Sequence, residues 1–140
     1  ENVPALRENI RQGKLDNCLA PITLDVTQAG DWPEKYYDGI FTANTLHIMS
    51  WPSVVKMFEN LPGVCQSGTL LSIYGPFKYQ GKFTSDSNAG FQQWLQDRDP
   101  LSGIRDFEQV DHLAGKQGFK LLSDISMPAN NQLLTWQKVN

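Results

Sequence analysis

The chain is poor in the residues that metal, disulfide and nucleophile chemistry use. Its 140 residues include two cysteines and two histidines. Cys18 and Cys65 stand far apart in unrelated surroundings, so no metal pair or disulfide framework is indicated. A reducing, cytoplasmic compartment is the simplest expectation. Nowhere do histidine, cysteine and acid cluster at metal-ligand spacing, so no metal site is expected. Basic residues are not in excess. The net charge is −3, which leaves no cationic face for phosphate backbones and argues against a nucleic-acid partner. No apolar run reaches the length of a membrane helix, and no segment reads as a secretory signal. "GPFKYQG" lacks the glycines and the lysine–hydroxyl pair of a phosphate loop. No base visibly pairs with Ser85 or Ser87, which argues against a serine hydrolase.

What is present alternates between helical and strand periods. "ENVPALRENIRQG" predicts a helix, with Pro4 near its first turn, Gly13 past its end, and Val3, Leu6 and Ile10 on one side. Residues 19–26 read as a strand entered through a proline, and residues 36–44 as a second. Ser50 suits the N-cap of a helix whose buried stripe is Val54, Met57, Phe58 and Leu61. "TLLSIY" is a third strand. "SNAGFQQWLQDRD" reads as a helix with Phe91, Trp94 and Leu95 on one face. Asp106 and Gln109 have capping-box spacing before "FEQVDHLAGKQ", and Gly118 suits that helix's exit. "FKLLSDI" and "QLLTWQKV" close the chain. The short "SMPANN" between them forbids a crossover, so this last pair should be antiparallel. The order predicts one α/β domain over residues 1–140, with helices on a sheet whose early strands are parallel. A chain of this length can bury roughly 68% of its unfolded surface without a metal or disulfide.

In such sheets ligands gather beyond the carboxyl ends of the parallel strands. Four loops qualify: residues 25–31, 42–50, 75–86 and 127–131. Asp25 ends a strand and suits an adenine amine or a ribose hydroxyl, or else a turn. His47 suits a base or an orienting group, or else a packed structural position, and Asn44 a ligand-facing amide or a backbone partner. Tyr74, Phe77, Tyr79 and Phe83 suit a pocket wall, or else a cover over the sheet edge. Asn88 suits a helix cap. Arg105, among Asp97, Asp99, Asp106 and Glu108, suits either a surface ion-pair network or a carboxylate ligand. Asn130 and Asn131 suit a tight turn or the rim of a cleft.

The segments "YDGIFTANTLHIMSW", "LLSIYGPFKYQGKFTSDSNAGF", "RDPLSGIRDFE" and "MPANN" resemble the signature stretches of the family called domain of unknown function 938, the methyltransferase-like 26 proteins. The resemblance covers nearly the whole chain. It implies a three-layer, Rossmann-like, class I S-adenosylmethionine-dependent methyltransferase-type sheet with an antiparallel C-terminal pair. Carried over residue by residue, it implies that Asp25 lies near the adenine and that Asn44, Thr45 and His47 lie beside the methionine part of the cofactor. The substrate side would include Tyr74, Phe77, Tyr79, Phe83, Asn88, Arg105 and Asn130. Lys78 stands where the family usually has an asparagine. The resemblance also implies a glycine-rich turn and a ribose-binding acid that this sequence does not contain. The expectation is therefore an N-terminally truncated methyltransferase-like domain of unknown substrate, inactive or cofactor-deficient by itself. The alternative is a binding or interaction module reusing residues 74–91 with a small-molecule ligand. Unpaired strand edges further predict a homodimer.

Overall fold

The computed structural model describes residues 2–139. Glu1, counted in the expected first helix, lies outside the described residues, as does Asn140. Helix α1 spans Val3–Gln12 and buries no side chain. Leu6, on its apolar side, is 48% exposed.

The expected strand over residues 19–26 does not form; this stretch is irregular. Leu19 is 75% exposed and Ile22 59%. The β propensity of an apolar stretch is realised only against a paired strand, and among the described residues no strand pairs with this one. It is tethered only at its end, where the Trp32 indole N–H and the Asn60 carboxamide both donate to the Val26 carbonyl, at 3.2 and 2.9 Å.

Strand β1 (Tyr37–Ala43) opens the main sheet, followed by helix α2 (Trp51–Asn60) and strand β2 (Cys65–Gly75). Pro52 in the first turn and the Ser50 hydroxyl, which accepts from the Ser53 N–H, start α2. A small hairpin, β3 (Phe77–Tyr79) and β4 (Lys82–Phe83), then leads into α3 (Asp86–Arg98). The chain closes with β5 (Arg105–Asp106), α4 (Phe107–Lys116), β6 (Phe119–Met127) and β7 (Asn131–Lys138).

The main sheet runs β1-β2-β7-β6, and a second small sheet runs β4-β3-β5. β1 and β2 are parallel, whereas β7 is antiparallel to both β2 and β6. The expected parallel start and antiparallel close are thus both present. The β6–β7 register slips between Leu121 and Ser123, and the β1–β2 register between Tyr37 and Gly39. There the Thr69 hydroxyl donates to the Tyr37 carbonyl at 2.6 Å and accepts from the Gln66 N–H.

The core lies where α2 and α4 meet the sheet. Val54, Phe58 and Val110 close on Leu71, Ile73, Leu134 and Trp136. Leu71 pairs with Trp136 and Ile73 with Leu134 across the β2–β7 ladder, so all four share a face. The Trp136 indole, fully buried, donates to Asp111 at 2.8 Å. On the opposite face Ser72 and Thr135 pair at 3.1 Å.

The capping role expected of Asp106 is not what its side chain does. It occupies the N-cap position of α4 without a capping hydrogen bond. Its Oδ1 instead accepts from the Gly81 N–H, and its Oδ2 faces Lys78 Nζ at 3.7 Å. Glu108 accepts from the Gln80 N–H beside it. Gln80 and Gly81 both have positive φ. A turn with two left-handed residues presents its N–H groups outward, and the two nearest acids take them in preference to the helix end.

Candidate functional site

A cleft of about 520 Å³ opens beyond the carboxyl ends of β1 and β2. The turn after β1 contributes Asn44, His47 and Ile48 to it. Asn44 has φ +56, a left-handed conformation that asparagine tolerates, and its N–H donates to the Tyr74 carbonyl. The turn is thereby tied to the end of β2. Gly75 lies so near that a Cβ there would sit 3.6 Å from His47 Nδ1.

The turn is also gripped from behind. Arg105 donates from Nε to the Leu46 carbonyl at 3.1 Å, and from Nη2 to the carbonyls of Met49 and Leu101. Gly103 donates its N–H to the His47 carbonyl at 2.8 Å. Gln92 covers Gly103, accepting from the Ile104 N–H at 2.7 Å. Any Cβ at Gly103 would come within 3.1 Å of that carboxamide. A half-buried guanidinium serving carbonyls without a facing carboxylate loses hydration, and burial lowers its pKa. The acids expected to hold Arg105 do not do so.

Opposite this turn, α3 supplies Ser87, Asn88, Phe91 and Trp94. Ser85 caps the helix by accepting from the Asn88 N–H. Phe91 and Trp94, three residues apart, stack at 5.7 Å between centroids, and the His47 ring meets Phe91 edge-on at 5.4 Å. Of the three residues expected on one face of this helix, Leu95 is buried, whereas Phe91 is half-buried and Trp94 51% exposed. The β6–β7 connection, with Ala129 and Asn130 both at positive φ, adds Ala129 and Asn131 to the rim.

His47 is the sole titratable group among the residues lining the cleft. Burial, and secondarily the positive charge of Arg105, lower its pKa, so its imidazole is held neutral. The site is therefore an uncharged cleft with one neutral imidazole, three carboxamides, a hydroxyl and an aromatic pair. Such a lining can hold and orient a small molecule; it offers no carboxylate or thiol for acid, base or nucleophilic work.

Asn44, His47 and Asn88 meet in this cleft. Thr45 stands behind it, its hydroxyl 2.6 Å from that of Thr42. Tyr74 and Asn130 buttress it, the first accepting from the Asn131 carboxamide and the second donating to Ser87. Phe77 lies elsewhere, in the core at 2% exposure. Tyr79 stacks on Phe107 at 5.3 Å and donates to Asp124. Burial and that acid raise the Tyr79 pKa. Phe83 lies under Lys78, with the ammonium 5.7 Å from its ring. The hairpin thus turns away from the cleft toward α4 and β6, and of residues 75–83 only Pro76 lines the cleft.

Asp25 is exposed and makes an Asx turn. Its Oδ1 accepts from the Thr27 N–H and hydroxyl, which lowers its pKa. It does not line the cleft. Near it a smaller pocket of about 220 Å³, formed by Leu24, Trp32, Tyr37, Ile40 and others, is almost wholly apolar and offers little to orient a ligand. Among the described residues no group of three histidine, cysteine or acidic side chains could hold a metal ion, and no helix is long and apolar enough to cross a membrane.

Ile48, Pro76, Ser87, Phe91, Trp94 and Ala129 line the cleft although the sequence singled none of them out for a site, and Asn131 takes the rim position open to it. An apolar face on α3 was legible, but helical spacing does not say whether that face meets a core or a cleft.

The family described as "Protein of unknown function (DUF938)" matches residues 1–138, and the chain belongs to it. Its fold is shared with solved methyltransferases at low sequence identity. An O-methyltransferase family protein from Burkholderia thailandensis aligns with a TM-score of 0.84 at 14% identity, over 98% of this chain and 41% of that one. PigF with SAH aligns at 0.79 and 15% identity, over 97% and 40%. The mitomycin 7-O-methyltransferase MmcR aligns at 0.78 and 12%, over 95% and 38%. The α/β architecture is thus the three-layer, Rossmann-like methyltransferase type. The chain spans about two fifths of the length of these structures.

Proposed function

From membership of that family and the fold it shares, we propose that residues 1–140 form a single S-adenosylmethionine-dependent methyltransferase-like domain whose cleft takes a small molecule. The observation that carries this reading is convergence. Asn44 and His47 after β1, Pro76 after β2 and Asn88 in α3 meet at the carboxyl ends of a parallel strand pair, where α/β folds bind their ligands.

Asn44 and His47, with Thr45 behind them, form the cofactor side, and Asp25 is assigned to the adenine end. Asn88 forms the substrate side, supported by Tyr74 and Asn130. Phe77, Tyr79, Phe83 and Arg105 act on the site through packing and backbone clamping. A neutral imidazole and uncharged carboxamides are compatible with a cationic sulfonium nearby. When bound, the cofactor would supply an electrophilic methyl group; this chain's residues would position it and exclude water. The sequence holds no glycine-rich turn or ribose-binding acid, so this 140-residue segment alone is expected to bind the cofactor weakly and to be inactive. The second reading is a non-catalytic binding module with the same cleft. Cytoplasmic location fits the reduced cysteines. Self-association as a homodimer fits the outer edge of β1, which pairs only with β2, and the exposure of Phe41, 67%, on that strand.

Calorimetric titration with S-adenosylmethionine and S-adenosylhomocysteine tests this. Saturable binding of either compound, even at weak affinity, that is lost in Asn44→Ala supports the cofactor assignment; absence of binding to either compound favours the binding module. Sedimentation equilibrium at low micromolar concentration decides the dimer, which a 15.8 kDa species would exclude.

A further inference from the structure

The substrate side of the cleft carries a chemical preference set by two carboxamides. Asn88 Nδ2 donates to the Thr84 hydroxyl and to the Asn130 carbonyl, both at 3.1 Å. Asn131 Nδ2 donates to the Tyr74 hydroxyl at 3.1 Å and to the Pro128 carbonyl at 3.3 Å. A backbone carbonyl only accepts, so the atom facing it must be the amide nitrogen. Both orientations are therefore fixed by chemistry. Each amide nitrogen has two hydrogens, and both are spent within the protein. What each residue has left is its carboxamide oxygen.

Neither oxygen is sealed in. Among the described residues the buried side-chain polar atom without a partner is Gln132 Oε1, while Asn88 and Asn131 both line the cleft. The same wall carries Phe91 and Trp94, and no carboxylate or cation lines it. The two nearest guanidiniums are engaged elsewhere. Arg105 serves three carbonyls, and Arg98 lies over the Trp94 ring at 4.6 Å, lining a neighbouring pocket.

We infer that the substrate side of this cleft selects uncharged molecules with an apolar, flat body and a hydroxyl or N–H group, which donates to the Asn88 or the Asn131 carboxamide oxygen, and that it rejects carboxylates and phosphates. The inference rests on the reading of the cleft as a ligand site, and it adds the ligand's class. Two fixed acceptor oxygens reward a donor. They repel an anion, which would also lose its hydration with no cation in the lining to compensate. The body of the ligand would lie against Phe91 and Trp94, which already form a stacked wall.

Three probes of one shape test it: naphthol, naphthyl methyl ether and naphthoate, titrated into the protein and followed by the side-chain amide signals of Asn88 and Asn131 and the Trp94 indole signal in NMR. The expected result is that naphthol moves these signals and binds about tenfold more tightly than either of the others, one hydrogen bond's worth of discrimination. The double variant Asn88→Leu with Asn131→Leu should bring naphthol and its ether to within about twofold of each other. If that variant fails to fold, the three-probe comparison on the unaltered protein decides alone. An ether that binds as well as naphthol, a naphthoate that binds best, or no probe that moves these signals overturns the inference. Naphthol selectivity without S-adenosylhomocysteine binding would keep this inference and remove the methyltransferase reading; S-adenosylhomocysteine binding with equal probe affinities would do the reverse.

Discussion

Residues 2–45 contain no buried side chain, whereas the core begins at Leu46 and runs to Trp136. Both regions are supplied with apolar residues. The first has Leu6, Leu15, Leu19, Ile22 and Leu24, all more than a third exposed. The second has helices and strands whose apolar faces meet one another. The difference lies in partners and not in composition. An apolar face stabilises a fold only by leaving water, and a helix without a docking surface, such as α1, leaves its face wet. Apart from Asn44, the lining of the cleft comes from the second region. Its walls are three turns and one helix, each pinned by the packed sheet or by Arg105.

The comparison breaks most visibly at Trp136. Trp136→Ala should cost about 3–5 kcal/mol, because it empties the centre of the sheet and leaves Asp111 without its donor. Chemical denaturation measures it. A loss below about 1 kcal/mol would mean that the β2–β7 face is not the core.

Arg105→Met comes next, at about 2–3 kcal/mol, since three carbonyls of the site-bearing turns lose their donor together. Slower hydrogen exchange at Ile48 and Met49 in the variant than in the parent would contradict the clamp.

His47 gives a smaller effect with a defined sign. Its folded pKa is depressed below the ordinary value. The unfolded chain therefore takes up the proton first, near pH 6.5. The stability it contributes is full above that pH and falls as pH drops from there toward the lower folded pKa. Asp25, whose pKa is also lowered, loses its contribution only below about pH 4. Thermal melts from pH 8 to 5 should thus decline below about 6.5 in the parent and stay flatter in His47→Gln. Equal slopes would remove His47 as the cause.

The smallest effect is expected in the first region. Leu19→Ser should change stability by less than about 0.5 kcal/mol, as for most exposed sites. A larger loss would show that residues 19–26 are packed in solution against something this chain's own sheet does not provide.

The sequence by itself determined the local events. Pro52 with Ser50, Ser85 before α3 and Gly118 after α4 mark helix ends through side chains and backbone angles within a few residues, and such signals do not depend on distant contacts. The brevity of "SMPANN" likewise made β6 and β7 antiparallel, and alternation placed ligand-facing loops after β1 and β2. Only the tertiary structure decided the rest. An apolar stretch at residues 19–26 has strand character but no strand, because a strand is a pairing and no partner reaches it. Asp106 has capping-box spacing but serves Gly81 and Lys78, because a hairpin distant in sequence brings it stronger claims. Phe77 is a core residue, and Phe91 and Trp94 form a cleft wall, although each is an aromatic in an amphipathic pattern. Periodicity states which side of an element is apolar; which surface comes to meet that side is fixed by contacts between residues far apart in the chain.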